Sequence, residues 1–115
     1  MIAHVILFSP KPELTLEARR DLLGALVSAS AEIPSIRSFR VGRRVKHGLP
    51  GYESLMRDDY DFAAIVEFDD MDGLTSYLAH PSHAAIGRHF VMSAARSLAY
   101  DYALVDAASV GLLID

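Results

Sequence analysis

The sequence predicts an α+β fold built in the order strand, helix, strand, strand, helix pair, strand. Two observations carry this prediction. Short apolar runs, of which the first is rich in β-branched residues, predict strands, and segments with helical spacing of apolar residues predict helices between them. The length of 115 residues allows a single hydrophobic core. We therefore expect one domain over residues 1–106, followed by a tail over residues 107–115 that is apolar at its end.

The first strand is predicted at residues 2–8, where a β-branched apolar run is closed by a Ser-Pro-Lys-Pro stretch. Thr15 is a suitable N-cap for the first helix, and Glu17 follows in the first turn. Apolar residues keep helical spacing from there, so the helix is predicted over residues 16–31.

The second half of the chain is predicted to contain two strands, two helices and one long loop. The strand within residues 36–45 has one wet side, and the loop over 46–60 contains two glycines and a proline. The next strand covers residues 60–68. Asp70 can cap a helix over 71–80, and a second helix is expected to start at Pro81 and to continue to about Arg96. The last strand is expected over residues 97–105.

This order is the ferredoxin-like βαββαβ arrangement, a four-stranded antiparallel sheet with helices on one face. Strand one is nevertheless apolar on both of its faces: Ile2, Ile6 and Phe8 on one, Ala3, Val5 and Leu7 on the other. The uncovered face therefore predicts packing against a second copy of the chain about a two-fold axis. If Phe8 and Val66 face that interface, an aspartate at either position should dissociate the dimer.

Composition excludes several classes of partner and site. A hydrophobic fraction of 51% with 23% charged residues indicates a globular domain. The net charge of −4 and the lack of a long basic block exclude nucleic acid as the main partner. The basic residues around Arg43 favour a solvated strand over an anion site. There are no cysteines, so disulfides and Cys-based zinc sites are excluded.

The beginning of the sequence favours a cytoplasmic protein that does not enter a membrane. It lacks a basic stretch followed by a cleavage site, and its apolar run is far below the roughly 18 residues that span a bilayer.

Five segments resemble the stress-responsive dimeric α/β-barrel (Dabb) domain family, over Met1 to about Val105. They read HVILF, GYESL, YDFAAIVEF, YLAHPSHAA and AYDY. The resemblance implies that ferredoxin-like subunits form a homodimeric α/β barrel through their sheet faces. It also implies a cavity for a small apolar ligand between sheet and helices. In cofactor-free polyketide cyclases of the olivetolic acid type, the tyrosine and the second histidine of the motif are the catalytic pair, and they match Tyr77 and His83.

Helical spacing supports an inward direction for both residues. A helix that starts at Pro81 places His83 on one face with Phe90, and Tyr77 lies on the inner side of the preceding helix. His80 stands at the break, where we expect its ring to cap the helix end. Phe90 and His80 are also counted among the expected pocket residues.

Two further pocket residues follow from the resemblance. His4 shares the strand-one face with Phe8 and matches a pocket histidine of the cyclases, although a buried histidine bonded to a neighbour is the more frequent case. Phe62 stands where those cyclases have another histidine. The pocket is therefore expected to be more apolar, which argues against the cyclases' own substrate.

Two functions remain open from the sequence. In the first, His83 is the general base and Tyr77 the orienting acid of a cofactor-independent lyase or isomerase that acts on a small carbonyl compound, since imidazole is mostly neutral at cellular pH. In the second, the chain is a non-catalytic stress-response or ligand-binding protein whose role is assembly and stability. A metal is not expected, because the His-x-x-His spacing across Pro81 does not place two ligands on one helical face.

Overall fold

The computed structural model describes residues 1–114, which form one four-stranded sheet with helices on one face. The elements are β1 (Ile2–Pro10), α1 (Leu16–Glu32), β2 (Ser38–Arg43), β3 (Phe62–Phe68), α2 (Met71–Ala79), α3 (Pro81–Ser93) and β4 (Ala94–Ala103). Short 3₁₀ helices cover Glu53–Leu55 and Ala107–Leu113. The strand order is β2-β3-β1-β4, and all neighbours are antiparallel. The ferredoxin-like fold class predicted from the sequence is confirmed.

The helices begin where their capping residues indicate. The Thr15 hydroxyl accepts a hydrogen bond from the Ala18 N–H at 3.1 Å, and the Asp70 carboxylate accepts one from the Gly73 N–H at 2.9 Å. Pro81 is the first residue of α3, where a missing N–H costs nothing because that position has no partner in the helix. These side chains fix where each helix starts.

The boundary between α3 and β4 lies earlier than the sequence predicts. The helix was expected to reach about Arg96, but it ends at Ser93, and Ala94 already pairs with Pro10 of β1. The Lys11 N–H also donates to the Ser93 carbonyl at 2.8 Å. Because β1 extends to Pro10, its edge offers backbone partners to residues 94–96, and this pairing outweighs their helical spacing.

The hydrophobic core lies between the sheet and the helices. Phe8 and Val66 are completely buried in it, against residues of α1 and α3 such as Leu22 and Ile86. The expectation that Phe8 and Val66 could face a sheet-to-sheet interface is therefore wrong. Side chains alternate along a strand, so the intervening positions, among them Ile65, point to the other face.

The face of the sheet opposite the helices is uncovered in the single chain. It carries Val5, Ile65 and Tyr100, which lie side by side in the register of β3, β1 and β4. Tyr100 is 57% exposed. Beyond β4, the apolar residues at the end of the tail are exposed as well. None of the helices in residues 1–114 is long and apolar enough to cross a membrane.

Candidate functional site

A cavity of about 340 Å³ lies between α3 and the part of the sheet formed by β1 and β4. Its polar lining residues are His4, His83 and Ser97, and its other walls are apolar or glycine. His4 is the third residue of β1, whereas His83 comes from the first turn of α3. The fold thus brings two histidines that are far apart in the sequence to the same cavity, with their ring centroids 6.4 Å apart.

The surroundings of His83 favour the neutral form of its imidazole. Burial lowers the pKa of its ring, and the neighbouring His4 lowers it further, while a backbone hydrogen bond with Leu78 acts in the opposite direction. Because an unperturbed histidine is already mostly neutral at cellular pH, a lowered pKa leaves the ring free to accept a proton. This state is the one that a general base requires.

Tyr77 packs directly behind the two histidines. Its ring centroid lies 4.8 Å from that of His83 and 5.4 Å from that of His4, and the residue is completely buried. The Tyr77 hydroxyl has no hydrogen-bond partner within residues 1–114. Burial, and secondarily the negative charge of Asp101, raises the pKa of Tyr77 to about 12. The phenol of Tyr77 is therefore a protonated hydrogen-bond donor that lacks an acceptor.

Asp101 completes the cluster and was not selected from the sequence as a site residue. Its carboxylate accepts a hydrogen bond from Nδ1 of His4 at 2.5 Å. The two residues are paired across β1 and β4, and His4 is only 5% exposed. A carboxylate at Nδ1 fixes the tautomer and the orientation of an imidazole. The sequence signal was an aspartate on the inward side of a strand.

The remaining predicted site residues are distributed differently. Phe90 lines the cavity and packs edge to face on Phe8 at 5.0 Å. Phe62 stacks on Phe8 at 5.5 Å and does not line the histidine cavity. Nδ1 of His80 accepts a hydrogen bond from the Ser82 N–H at 3.0 Å, so its ring caps the start of α3, rather than the end of α2, and does not line the cavity either.

The comparison with protein families agrees with this architecture. The model of the stress responsive A/B barrel domain (Dabb) matches residues 2–104. This chain belongs to the Dabb family. The predicted resemblance is thereby confirmed over nearly the whole chain.

Several solved structures resemble this Dabb domain. A Dabb family protein from Mesorhizobium loti with a ferredoxin-like fold is 29% identical, with a TM-score of 0.70 over 91% of this chain and 97% of that one. A dimeric ferredoxin-like protein of unknown function from Thermobifida fusca is 27% identical, with a TM-score of 0.69 over 90% of each chain. A hydroxynitrile lyase from Passiflora edulis shares the fold at a TM-score of 0.77 and 9% identity, covering 92% of this chain and 94% of that one. No curated protein matches the sequence.

A larger opening, of about 460 Å³, lies at the opposite end of the Dabb domain and contains none of the histidines. It is lined in part by Arg43, Arg44 and Leu7. Asp59 is bonded to both Arg44 and Lys46, so part of the positive charge near this opening is already neutralised. This opening therefore differs from the cavity of His4 and His83 in its lining, which includes arginines and no histidine.

No group of three or more His, Asp or Glu side chains that could hold a metal ion occurs in residues 1–114 of the Dabb domain. The polar groups at and directly behind the histidine end of the cavity are instead two imidazoles, the phenol that packs on them and the carboxylate bonded to His4. This set can move protons and donate hydrogen bonds by itself.

Proposed function

We propose that this Dabb protein binds a small apolar carbonyl compound in the cavity between α3 and the sheet and enolises it without a cofactor. The observation that carries the proposal is that His4 and His83 line the same largely apolar cavity, while the buried, unpartnered phenol of Tyr77 packs behind their rings. The pKa of His83 is lowered, and the ring of His4 is bonded to Asp101. Enolisation of this kind is the first step of a lyase, isomerase or polyketide cyclase-like reaction.

In this mechanism His83 is the general base. It takes the proton from the carbon beside the carbonyl group, and the electron pair of that C–H bond moves into the carbonyl to form an enolate. The Tyr77 hydroxyl orients the His83 ring or donates to the enolate oxygen, and such donors are typically worth about 10²-fold or more in rate. His4, whose ring is held by its hydrogen bond to Asp101, lines the same pocket as His83. His83 then returns the proton to the product.

The alternative function is a non-catalytic stress-response or ligand-binding protein whose role is assembly and stability. One observation favours it: Tyr77 is completely buried and does not itself line the cavity, whereas His4 and His83 do. In that case the polar cluster would stabilise the ligand pocket and would transfer no proton.

Proton exchange separates the two functions. Acetylacetone dissolved in deuterium oxide should exchange its central protons faster with the wild-type protein than with buffer, and His83→Ala should remove this acceleration. His89→Ala is the matched control, because His89 lies on the same helix and does not line the cavity. Equal exchange by wild type and His83→Ala would contradict the enzymatic function. If the His83→Ala variant instead dissociated from a dimer into monomers, His83 would be a structural residue.

We also propose that the protein is a homodimer that buries the uncovered sheet face of each subunit. The Thermobifida fusca structure and a Bacteroides fragilis structure with the same fold are described as dimeric. The apolar residues of this face support the same arrangement, since an exposed apolar sheet face is costly in water.

A further inference from the structure

The larger opening, of about 460 Å³, carries positive charge that is not fully neutralised. Arg43, Arg44 and Arg57 line it, together with one carboxylate, that of Asp58. Arg44 is paired with Asp59, whereas Arg43, Arg57 and Asp58 form no ion pair within residues 1–114. Two guanidinium groups thus stand against one carboxylate, in a chain whose net charge is −4.

The inner side of this opening is apolar and lies on the sheet face that the helices leave uncovered. Leu7 and Ala63 are paired in the register of β1 and β3, two residues along from Val5 and Ile65 on the same face. Leu7 and Ala63 are half-buried, whereas Arg43 is exposed. The other apolar lining residues are Met56, Tyr60 and Phe62. Because the histidine cavity lies on the helix side of the sheet, the two openings are separate sites.

The loop that forms one wall of the opening is fixed to the sheet. The Asp61 N–H donates to the hydroxyl of the buried Ser9 at 3.0 Å, and the Arg44 N–H donates to the Asp61 carbonyl at 2.8 Å. The guanidinium of Arg96 lies 4.8 Å from the centroid of the Tyr60 ring. These contacts tie the end of the loop to β1, β2 and β4. A wall that is already ordered lowers the entropic cost of binding a ligand.

We propose that this opening is a second binding site, which takes an organic monocarboxylate with an apolar body. The planar guanidinium groups of Arg43 and Arg57 match the geometry of a carboxylate, and one negative charge on the ligand offsets the charge that Asp58 leaves unbalanced. The body of the ligand covers Leu7 and Ala63, which an inorganic anion would leave in water.

Taken alone, the basic stretch around Arg43 favours a solvated strand. The structure adds two things that this stretch does not contain: Arg57 from the loop before β3, and an apolar surface beside the charges. The site lies outside the histidine cavity, so this inference does not rest on the proposed enolisation. In the proposed homodimer, the second subunit would add apolar surface next to Leu7 and Ala63.

The experiment uses 2-naphthoate as the probe and 2-naphthamide as its neutral analogue of the same shape. Binding of each to the purified full-length protein is measured by calorimetry. Arg57→Gln and Arg43→Gln are the test variants. Arg88→Gln is the matched control, because Arg88 is also exposed, forms no ion pair within residues 1–114 and does not line the opening. His83→Ala tests whether the probe enters the histidine cavity instead.

The wild type is expected to bind 2-naphthoate at least about tenfold more tightly than 2-naphthamide, since a hydrogen bond to a charged group is stronger than one between neutral groups. Arg57→Gln and Arg43→Gln should each weaken binding of 2-naphthoate about tenfold or more, and Arg88→Gln and His83→Ala should change it less than about twofold. Asp58→Asn should act in the opposite direction and tighten binding, because it removes a negative charge from the opening.

Each other outcome would overturn the proposal. A wild type that does not bind 2-naphthoate, or that binds 2-naphthamide equally well, would show that the opening does not recognise a carboxylate. Equal weakening by Arg88→Gln and Arg57→Gln would indicate general attraction of anions to the protein surface. Weakening by His83→Ala at unchanged affinity of Arg57→Gln would place the probe in the histidine cavity. A wild type that binds 2-naphthoate in the expected way but fails to accelerate proton exchange would contradict only the enzymatic function.

Discussion

At the scale of single residues, the main feature is the pairing of polar groups in an apolar setting. His4 is satisfied by Asp101, whereas the Tyr77 hydroxyl is buried without a partner. An unpaired buried hydroxyl costs roughly 1–3 kcal/mol. A cost of this kind is often found at functional sites, where a group is kept ready for a ligand. The two predictions at this scale test that interpretation.

Near neutral pH, Tyr77→Phe is expected to leave the free energy of unfolding unchanged or to raise it by up to about 1 kcal/mol. The reason is that the substitution removes an unpaired buried hydroxyl and keeps the ring. The measurement is urea unfolding. The same variant should lose most of the proton-exchange activity. A marked loss of stability would show that the hydroxyl is hydrogen-bonded in solution.

The decrease in the free energy of unfolding at alkaline pH is a second measurement that tests Tyr77. Its pKa is raised from 10.0 to about 12 in the folded protein, so folding favours the protonated phenol. The corresponding stabilisation is complete below about pH 10 and is lost as the pH rises towards 12, amounting to about 2–3 kcal/mol. Tyr77→Phe should lack this part of the alkaline loss.

Asp101→Asn is expected to affect the titration of Tyr77 and the activity together. The charge of Asp101 raises the pKa of Tyr77, so its removal should lower the pH at which Tyr77 ionises. This pH is measured by ultraviolet titration of Asp101→Asn, from which the titration of the double variant Asp101→Asn/Tyr77→Phe is subtracted. Loss of a fixed His4 orientation should also reduce exchange about tenfold or more. Asp58→Asn, in the loop at the other end of the molecule, is the control. An unchanged alkaline midpoint of Tyr77 would contradict the effect of the Asp101 charge on the pKa of Tyr77.

At the scale of elements, the break between α2 and α3 positions the candidate site. The Asp70 cap and Pro81 mark the starts of the two helices, and both are readable from the sequence. His80 joins them, since its N–H donates to the Tyr77 carbonyl at 3.1 Å while its ring accepts from the Ser82 N–H. This short connection places Tyr77 and His83 side by side.

His80→Ala should therefore destabilise the fold while leaving ligand chemistry largely intact. Loss of an N-cap acceptor typically costs about 1 kcal/mol, or roughly 3–5 °C in Tm for a domain of this size. His80→Asn is the matched control, because asparagine is among the best N-cap residues and should retain most of the stability. If His80→Ala removed activity at unchanged Tm, His80 would belong to the pocket, as the sequence had indicated.

At the scale of the whole molecule, one face of the sheet is packed and the other is not. The helix-facing residues form the core, and the opposite face carries exposed apolar side chains. The antiparallel order β2-β3-β1-β4 leaves β2 and β4 as the two edges. A second copy that covers the open face would bury the apolar side chains, and closure into a barrel would also protect these edges.

Ile65→Asp is expected to convert the proposed homodimer into folded monomers, because it places a charge on the open face. Light scattering coupled to gel filtration measures the mass, and circular dichroism checks the fold. Val66→Asp, one residue along, should instead unfold the chain, since Val66 is completely buried in the core. Ser28→Asp on the exposed side of α1 should change neither. A dimeric, folded Ile65→Asp would contradict the proposed interface.

The sequence by itself determined the element order, the helix starts and the family. These features depend on local signals, such as Thr15, Asp70 and Pro81, or on patterns along one segment, such as the apolar run of β1. The motif around Tyr77 and His83 also stands within a short segment. Its presence could therefore be recognised without knowledge of the tertiary structure.

The tertiary structure alone decided which distant residues meet. The contact of His4 with Asp101 depends on the register of β1 and β4, and the early start of β4 depends on the length of β1. Phe62 stacks on Phe8 because the register of β1 and β3 pairs these two residues. Val66 is buried in the core because the helices cover its side of the sheet. Local spacing carries no information about pairing partners many residues away, and that is the physical reason for this division.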